Sequence, residues 1–136
     1  MITGGCQCGE VRYELRAAPV EVYVCHCREC QKQAASAFGI SVIVRSGDLK
    51  LTAGTPRQWS RAATVQGRMA CSFCPTCGTR LFHGDPAADA MVSVKGGSLD
   101  TPPDLTGSKH IWVRSKLRGV VVPEGAETWP EEPPAD

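Results

Sequence analysis

The residues best placed to do chemistry in this chain are its eight cysteines, which fall into three groups. The groups are Cys6-Gln7-Cys8, Cys25-His26-Cys27-Arg28-Glu29-Cys30 and Cys71-Ser72-Phe73-Cys74-Pro75-Thr76-Cys77. A tetrahedral zinc takes thiolate sulfurs at about 2.3 Å, and a Cys-X-X-Cys turn lets two of them converge from one short loop. Cys74-Pro75-Thr76-Cys77 is such a knuckle, followed by Gly78, which is free to adopt the positive φ that a tight turn needs. One knuckle supplies half of a closed site, and Cys6 and Cys8 are its natural partners. That pairing would clamp the amino terminus to the middle of the chain, a useful staple for a small core.

The central group offers three thiolates, Cys25, Cys27 and Cys30, from one short segment. Three protein ligands leave a fourth position open, the feature that separates catalytic from structural zinc. Zinc holds a bound thiol as thiolate and polarises a bound oxygen, so an open site suits thiol–carbonyl chemistry. The alternative is a closed structural site whose fourth ligand is His26, Cys71 or a distant histidine. Spacing alone leaves both readings standing.

Composition bounds the rest. A chain of 136 residues matches the roughly 100–200 residues of a single domain. Cysteine at about 6% lies below the roughly 8–10% of short disulfide scaffolds. The formal charge of +1 provides no global field for nucleic acid or an anionic membrane. The start, Met1 to Cys6, lacks a basic, apolar export signal, and no stretch approaches the ~20 apolar residues of a membrane span. The expected compartment is the reducing cytoplasm, where dense cysteine means metal or catalysis; a disulfide framework is the alternative. From Pro123 onward the chain carries five acids and no base, leaving residues 1–122 with a formal +6, which suits a small anionic ligand. Residues 123–136 read as an acidic, Pro-rich tail that only Trp129 would pin back.

The elements that must carry these cysteines are short. Val11, Tyr13 and Leu15 alternate with charged residues as in a half-buried strand, and Val20, Val22 and Val24 repeat the pattern into Cys25. Arg28 to Ala37 lacks alternation and reads as a short helix. Ile40 to Val44 reads as a strand. Turn signals at Ser46-Gly47-Asp48 and Ala53-Gly54-Thr55-Pro56 bracket a strand at Leu49 to Thr52 with hairpin-like spacing. Further strands are expected at Ala63 to Ala70, Arg80 to His83, Met91 to Lys95 and Ile111 to Val113. Fourteen Gly and ten Pro among these short runs predict an all-β domain rich in turns.

Taken together, the motifs resemble those of the glutathione-dependent formaldehyde-activating enzyme family, which includes the centromere protein V domain. The resemblance rests on Gly4-Gly5-Cys6-Gln7-Cys8-Gly9, on Cys25-His26-Cys27-Arg28-Glu29-Cys30-Gln31 with Ser36-Ala37-Phe38, and on Phe73-Cys74-Pro75-Thr76-Cys77-Gly78-Thr79. Gly97-Ser98-Leu99-Asp100 and His110-Ile111-Trp112-Val113 complete it, so it covers residues 1–122 in family order. It implies a zinc-bound β-tent of small antiparallel sheets with one short helix or helical turn. It also implies a structural zinc on Cys6, Cys8, Cys74 and Cys77 and a catalytic zinc on Cys25, Cys27 and Cys30.

The activity implied is that of a carbon–sulfur lyase acting on a thiol–aldehyde adduct, with glutathione or another small thiol as co-substrate and formaldehyde as the aldehyde. No nucleic-acid or membrane partner is expected. A non-enzymatic zinc module that binds protein or nucleic acid is the competing function. Arg28 and Lys32 are either attractors of substrate carboxylates or ordinary solvated charges. Cys71 reads as a buried or free thiol, with a fourth-ligand role as its alternative. His26 is expected to turn away from the metal toward a supporting or surface role, and His83 and His110 to be structural. Trp59, Phe38, Phe73 and Trp112 are expected in the core or a pocket wall. Seven thiolates on two Zn²⁺ would move the formal charge from +1 to −2, concentrated at the metals.

Overall fold

The computed structural model describes residues 1–63 and 67–134. Its strands are β1 (Ile2–Gly5), β2 (Arg12–Leu15), β3 (Glu21–Cys25), β4 (Gly39–Arg45), β5 (Leu49–Ala53), β6 (Arg57–Ala63), β7 (Gly67–Phe73), β8 (Arg80–His83), β9 (Met91–Lys95) and β10 (Lys109–Ile111). One α-helix, α1 (Arg28–Ala34), accompanies them, so the protein is all-β with a single short helix among the described residues. No helix among those residues is long and apolar enough to cross a membrane. The chain divides into two compact units, Met1–Glu21 with Val42–Pro103 and Val22–Ser41 with Asp104–Asp136.

In the first unit β2 lies between β1 and β5, antiparallel to both. The alternation read in the sequence is the reason: Val11, Tyr13 and Leu15 are all at most 1% exposed, while Arg12 and Glu14 alternate with them. The Ser98 hydroxyl donates to the Lys95 carbonyl, so the Tyr13 hydroxyl, 2.7 Å from Ser98, must be donating in turn. The hairpin-like spacing around Leu49 to Thr52 does not make a local hairpin. β5 pairs with β2, at long range in sequence, and Ser46–Asp48 forms a 3-10 turn.

The strand expected at Ala63 to Ala70 is corrected. Its residues 64–66 lie outside the described residues, and the flanking segments form two antiparallel strands, β6 and β7, in register from Arg57↔Phe73 to Ala63↔Gly67. β6 went unseen because Arg57-Gln58-Trp59-Ser60-Arg61 has no apolar alternation, and an edge strand needs none. Trp59 is half exposed on it, not in a core or wall. β8 pairs with β7 and β9, which aligns Ser72, Phe82 and Val94 on one face and Cys71, His83 and Ser93 on the other.

The second unit is built on β3 and β10, which run parallel with Tyr23↔Lys109, Val24↔His110 and Cys25↔Ile111. Val24 is buried as the alternation predicted, but Val20 lies before the strand and is 45% exposed. α1 stops at Ala34 instead of continuing to Ala37, because Ala35 adopts a left-handed conformation with φ 49° and its N–H closes back on Gln31 and Lys32. β10 begins and ends two residues before the expected Ile111 to Val113. Trp112 has φ 59°, which breaks the strand and opens a 3-10 turn at Val113–Ser115.

Beyond Pro123 the chain returns alongside β10, with a parallel bridge between His110 and Thr128. His110 N–H donates to Glu127 (2.9 Å), Trp129 N–H to His110 (2.9 Å) and Val113 N–H to Trp129 (3.1 Å). The indole of Trp129 packs on the buried cluster of Cys25, Cys30 and Ile111, so the residue singled out in the sequence as a pin is the one that docks.

Candidate metal centres

The sulfurs of Cys6, Cys8, Cys74 and Cys77 all lie within 4.8 Å of one another in the first unit. Two loops bring them there. In the first, Cys6 N–H donates to Val11 C=O (3.0 Å) and Gly9 N–H to Cys6 C=O (3.1 Å), with Gly9 at φ 85°. In the second, Cys74 N–H donates to Thr79 C=O (3.0 Å) and Gly78 N–H to Cys74 C=O (2.9 Å), with Gly78 at φ 80° as its sequence position required. Gln7 N–H donates to the Thr79 hydroxyl (3.0 Å), tying one loop to the other.

The sulfurs are dressed for negative charge. Val11 N–H points at Cys6 Sγ (3.2 Å), and Thr76 and Cys77 N–H point at Cys74 Sγ (3.4 and 3.5 Å). The Sγ–Sγ separations of 3.6 Å (Cys6–Cys8) and 3.8 Å (Cys8–Cys74) match the roughly 3.8 Å edge of a tetrahedron with 2.3 Å zinc–sulfur bonds. Hydrogen bonds from the Thr79 hydroxyl and backbone draw the Cys77 thiol down to about 5. Burial opposes ionisation of Cys6, but the Val11 N–H and the Cys8 and Cys74 thiols outweigh it and lower its pKa. The Glu10 N–H favours the Cys8 thiolate, yet burial and the other three sulfurs prevail and push it up to about 12. The Cys6 and Cys77 thiolates form readily and the Cys8 thiolate resists, which is the behaviour of a cluster that needs a cation to ionise fully.

Cys25, Cys27 and Cys30 form the second group, in the second unit. Cys25 ends β3, Cys27 caps the N-terminus of α1 with its sulfur accepting from Cys30 N–H (3.2 Å), and Cys30 lies in the first turn. Gln31 holds the connecting loop in shape: its buried amide donates to the carbonyls of His26 (2.8 Å) and Ser115 (3.0 Å). The neighbouring sulfurs of Cys27 and Cys30, followed by burial, raise the Cys25 pKa. Three thiols this close cannot all ionise unless a divalent cation sits among them, so the donor set fits zinc.

Among the described residues no fourth cysteine, histidine or carboxylate joins this group. His26 turns away, as expected, but into the interior instead of to the surface: it is fully buried, with Nε2 2.9 Å from His110 Nδ1, the two rings stacked and Phe38 edge-on. Cys71 is fully buried on β7, opposite Trp59 and His83, and belongs to neither group. Burial raises its pKa. His83 is buried on β8, where desolvation and then Lys95, Arg61 and Arg80 push it down to about 3. Arg28 and Lys32 are exposed on α1, with Arg28 hydrogen-bonded to the Gln31 side chain.

Residues outside the cysteine motifs complete the surroundings of the triplet. Ile111, Tyr23, Trp112 and Trp129 pack against it, and Trp129 comes from the segment beyond the last motif. Its isolated tryptophan in a polar, acidic stretch was the one available signal.

The sequence model of the glutathione-dependent formaldehyde-activating enzyme family matches residues 1–115. Among solved structures, the chain is similar in fold to the crystal structure of a Rhodobacter sphaeroides protein, with a TM-score of 0.61 and 22% identity over 79% of this chain and 98% of that one.

Proposed function

The chain belongs to the glutathione-dependent formaldehyde-activating enzyme family, and from that premise we propose that it is a zinc-dependent carbon–sulfur lyase-like enzyme acting on adducts of a small thiol with an aldehyde. In this reading the protein is a zinc-bound β-tent, with a structural zinc on Cys6, Cys8, Cys74 and Cys77 and a catalytic one on Cys25, Cys27 and Cys30. The observation that carries it is the inequality of the two groups: four sulfurs converge in one and three in the other. Zinc bound by three thiolates would supply an open coordination position that keeps a small thiol ionised near neutral pH.

The chain's own residues do the remainder. Cys25, Cys27 and Cys30 hold the ion, and the Gln31 amide fixes the loop between the first two. Tyr23, Ile111, Trp112 and Trp129 surround the sulfurs with apolar surface and thin out competing water. Arg28 and Lys32, exposed beside the triplet, attract the carboxylates of a thiol such as glutathione.

In the synthetic direction the thiol sulfur adds to the carbonyl carbon of formaldehyde and a C–S bond forms. The C=O π pair moves to oxygen, which takes the proton the thiol gave up, giving an S-hydroxymethyl adduct. In the lyase direction that C–S bond breaks and both reactants are released.

The test is a panel of glutathione and other low-molecular-weight thiols, with and without formaldehyde, read by adduct formation in NMR. The protein should accelerate adduct formation or cleavage with at least one thiol, and Cys27→Ser should abolish the acceleration. If no thiol is turned over, a non-enzymatic zinc module that binds protein or nucleic acid is the reading that survives.

A further inference from the structure

The C-terminal segment contributes more to the three-cysteine site than its acidic, Pro-rich composition suggests. Trp129 lies beyond residue 115, where the family match ends, yet its indole packs against Cys25, Cys30 and Ile111 beside Tyr23, Cys27 and Trp112. Both of its backbone groups are held: its N–H donates to His110 (2.9 Å) and its C=O accepts from Val113 (3.1 Å). Its neighbours are anchored as well, Glu131 by Arg114 (3.0 Å) and Glu132 by the Trp112 indole N–H (2.7 Å). The backbone at Trp129 is therefore held on both sides. The residue is nevertheless only half-buried, like Tyr23, Cys27 and Trp112, whereas Cys25 and Cys30 are 5% and 8% exposed. A side chain on so anchored a backbone, packed on the cluster and still partly open to solvent, is a wall of the site more than a part of the core.

We infer that Trp129 is a specificity-determining residue of the three-cysteine site, restricting it to thiols that are unbranched at the carbon bearing the sulfur. The inference rests on the reading that a thiol binds at this site. An indole packed on the cluster that holds two of the three cysteines would admit a slim CH₂ beside an incoming sulfur more readily than a carbon bearing methyl groups in place of its hydrogens. Size exclusion by a fixed aromatic wall is worth about 10–200-fold per carbon group.

The experiment uses the full chain loaded with cobalt(II) and compares N-acetylcysteine with N-acetylpenicillamine, which carries two methyl groups on the carbon bearing sulfur and the same charge. Binding is read from the sulfur-to-cobalt absorption, with no turnover required. Wild type should prefer N-acetylcysteine, and Trp129→Ala should shrink that preference by at least about tenfold while still binding two cobalt ions per chain. Trp129→Leu retains an apolar plug, so it guards against a variant that fails to fold, and it should shift the preference in the same direction. An unchanged preference in both variants, or none in wild type, would overturn the inference and leave the thiol-binding reading intact. If neither thiol perturbs the wild-type spectrum, both fall together.

Discussion

At the scale of single residues, the cysteines divide by what surrounds them. Cys74 accepts two backbone N–H bonds inside a loop that the Thr79 hydroxyl ties to the loop of Cys6 and Cys8. Cys27 caps a seven-residue helix with its sulfur. On the proposed assignment Cys74→Ser should therefore unfold the first unit, since a structural zinc contributes folding free energy directly. Cys27→Ser should lower zinc content from two to one per chain and leave the circular dichroism spectrum close to wild type. Equal loss of structure from both substitutions would count against the division.

His83 yields a prediction of another kind. Burial keeps it neutral down to about pH 3, against the ordinary imidazole value of 6.5. An unfolded chain takes up that proton as pH falls through 6.5 and the folded chain does not, so stability is lost between 6.5 and about 3. The slope approaches about 1.4 kcal/mol per pH unit for one proton. Urea unfolding of wild type and His83→Asn across that window should show the slope in the first and its loss in the second. The metal sites are common to both proteins and cancel in the difference.

At the scale of elements, the end of α1 is the clearest case of structure at odds with residue type. Ala35 sits at φ 49°, a left-handed conformation that costs an L-residue about 1–2 kcal/mol and glycine almost nothing. Ala35→Gly should stabilise the protein by about 0.5–1 kcal/mol after the greater freedom of glycine in the unfolded chain is counted. A melting temperature equal to or below wild type would contradict this.

The same residue explains why the helix was expected to run to Ala37: no glycine marks its end, so composition gave no stop. β2 was legible because Val11, Tyr13 and Leu15 face a core on one side only. β6 was not, because an edge strand needs no apolar face, and β10 was displaced because nothing in the side chain of Trp112 announces a positive φ. The cysteine groups were legible because metal-ligand spacing is local within each loop. The aromatic surroundings of Cys25 were not, because Trp129 reaches them through backbone bonds to β10 that leave no periodicity in the sequence.

At the scale of the whole molecule, the formal charge of +1 conceals its distribution. Five acids lie beyond Pro123, and among them Glu131 and Glu132 are engaged by Arg114 and Trp112. The cysteine clusters gather seven further potential negative charges at two points, one in each unit. On the proposed assignment these two points differ, one closed by four thiolates and one left open by three. Cadmium NMR of the cadmium-loaded chain tests it most directly, with glutathione titrated in. Two resonances are expected, of which one stays fixed and the other shifts as a fourth sulfur arrives. Two resonances that both ignore the thiol, or a single class of four-sulfur site, would contradict it.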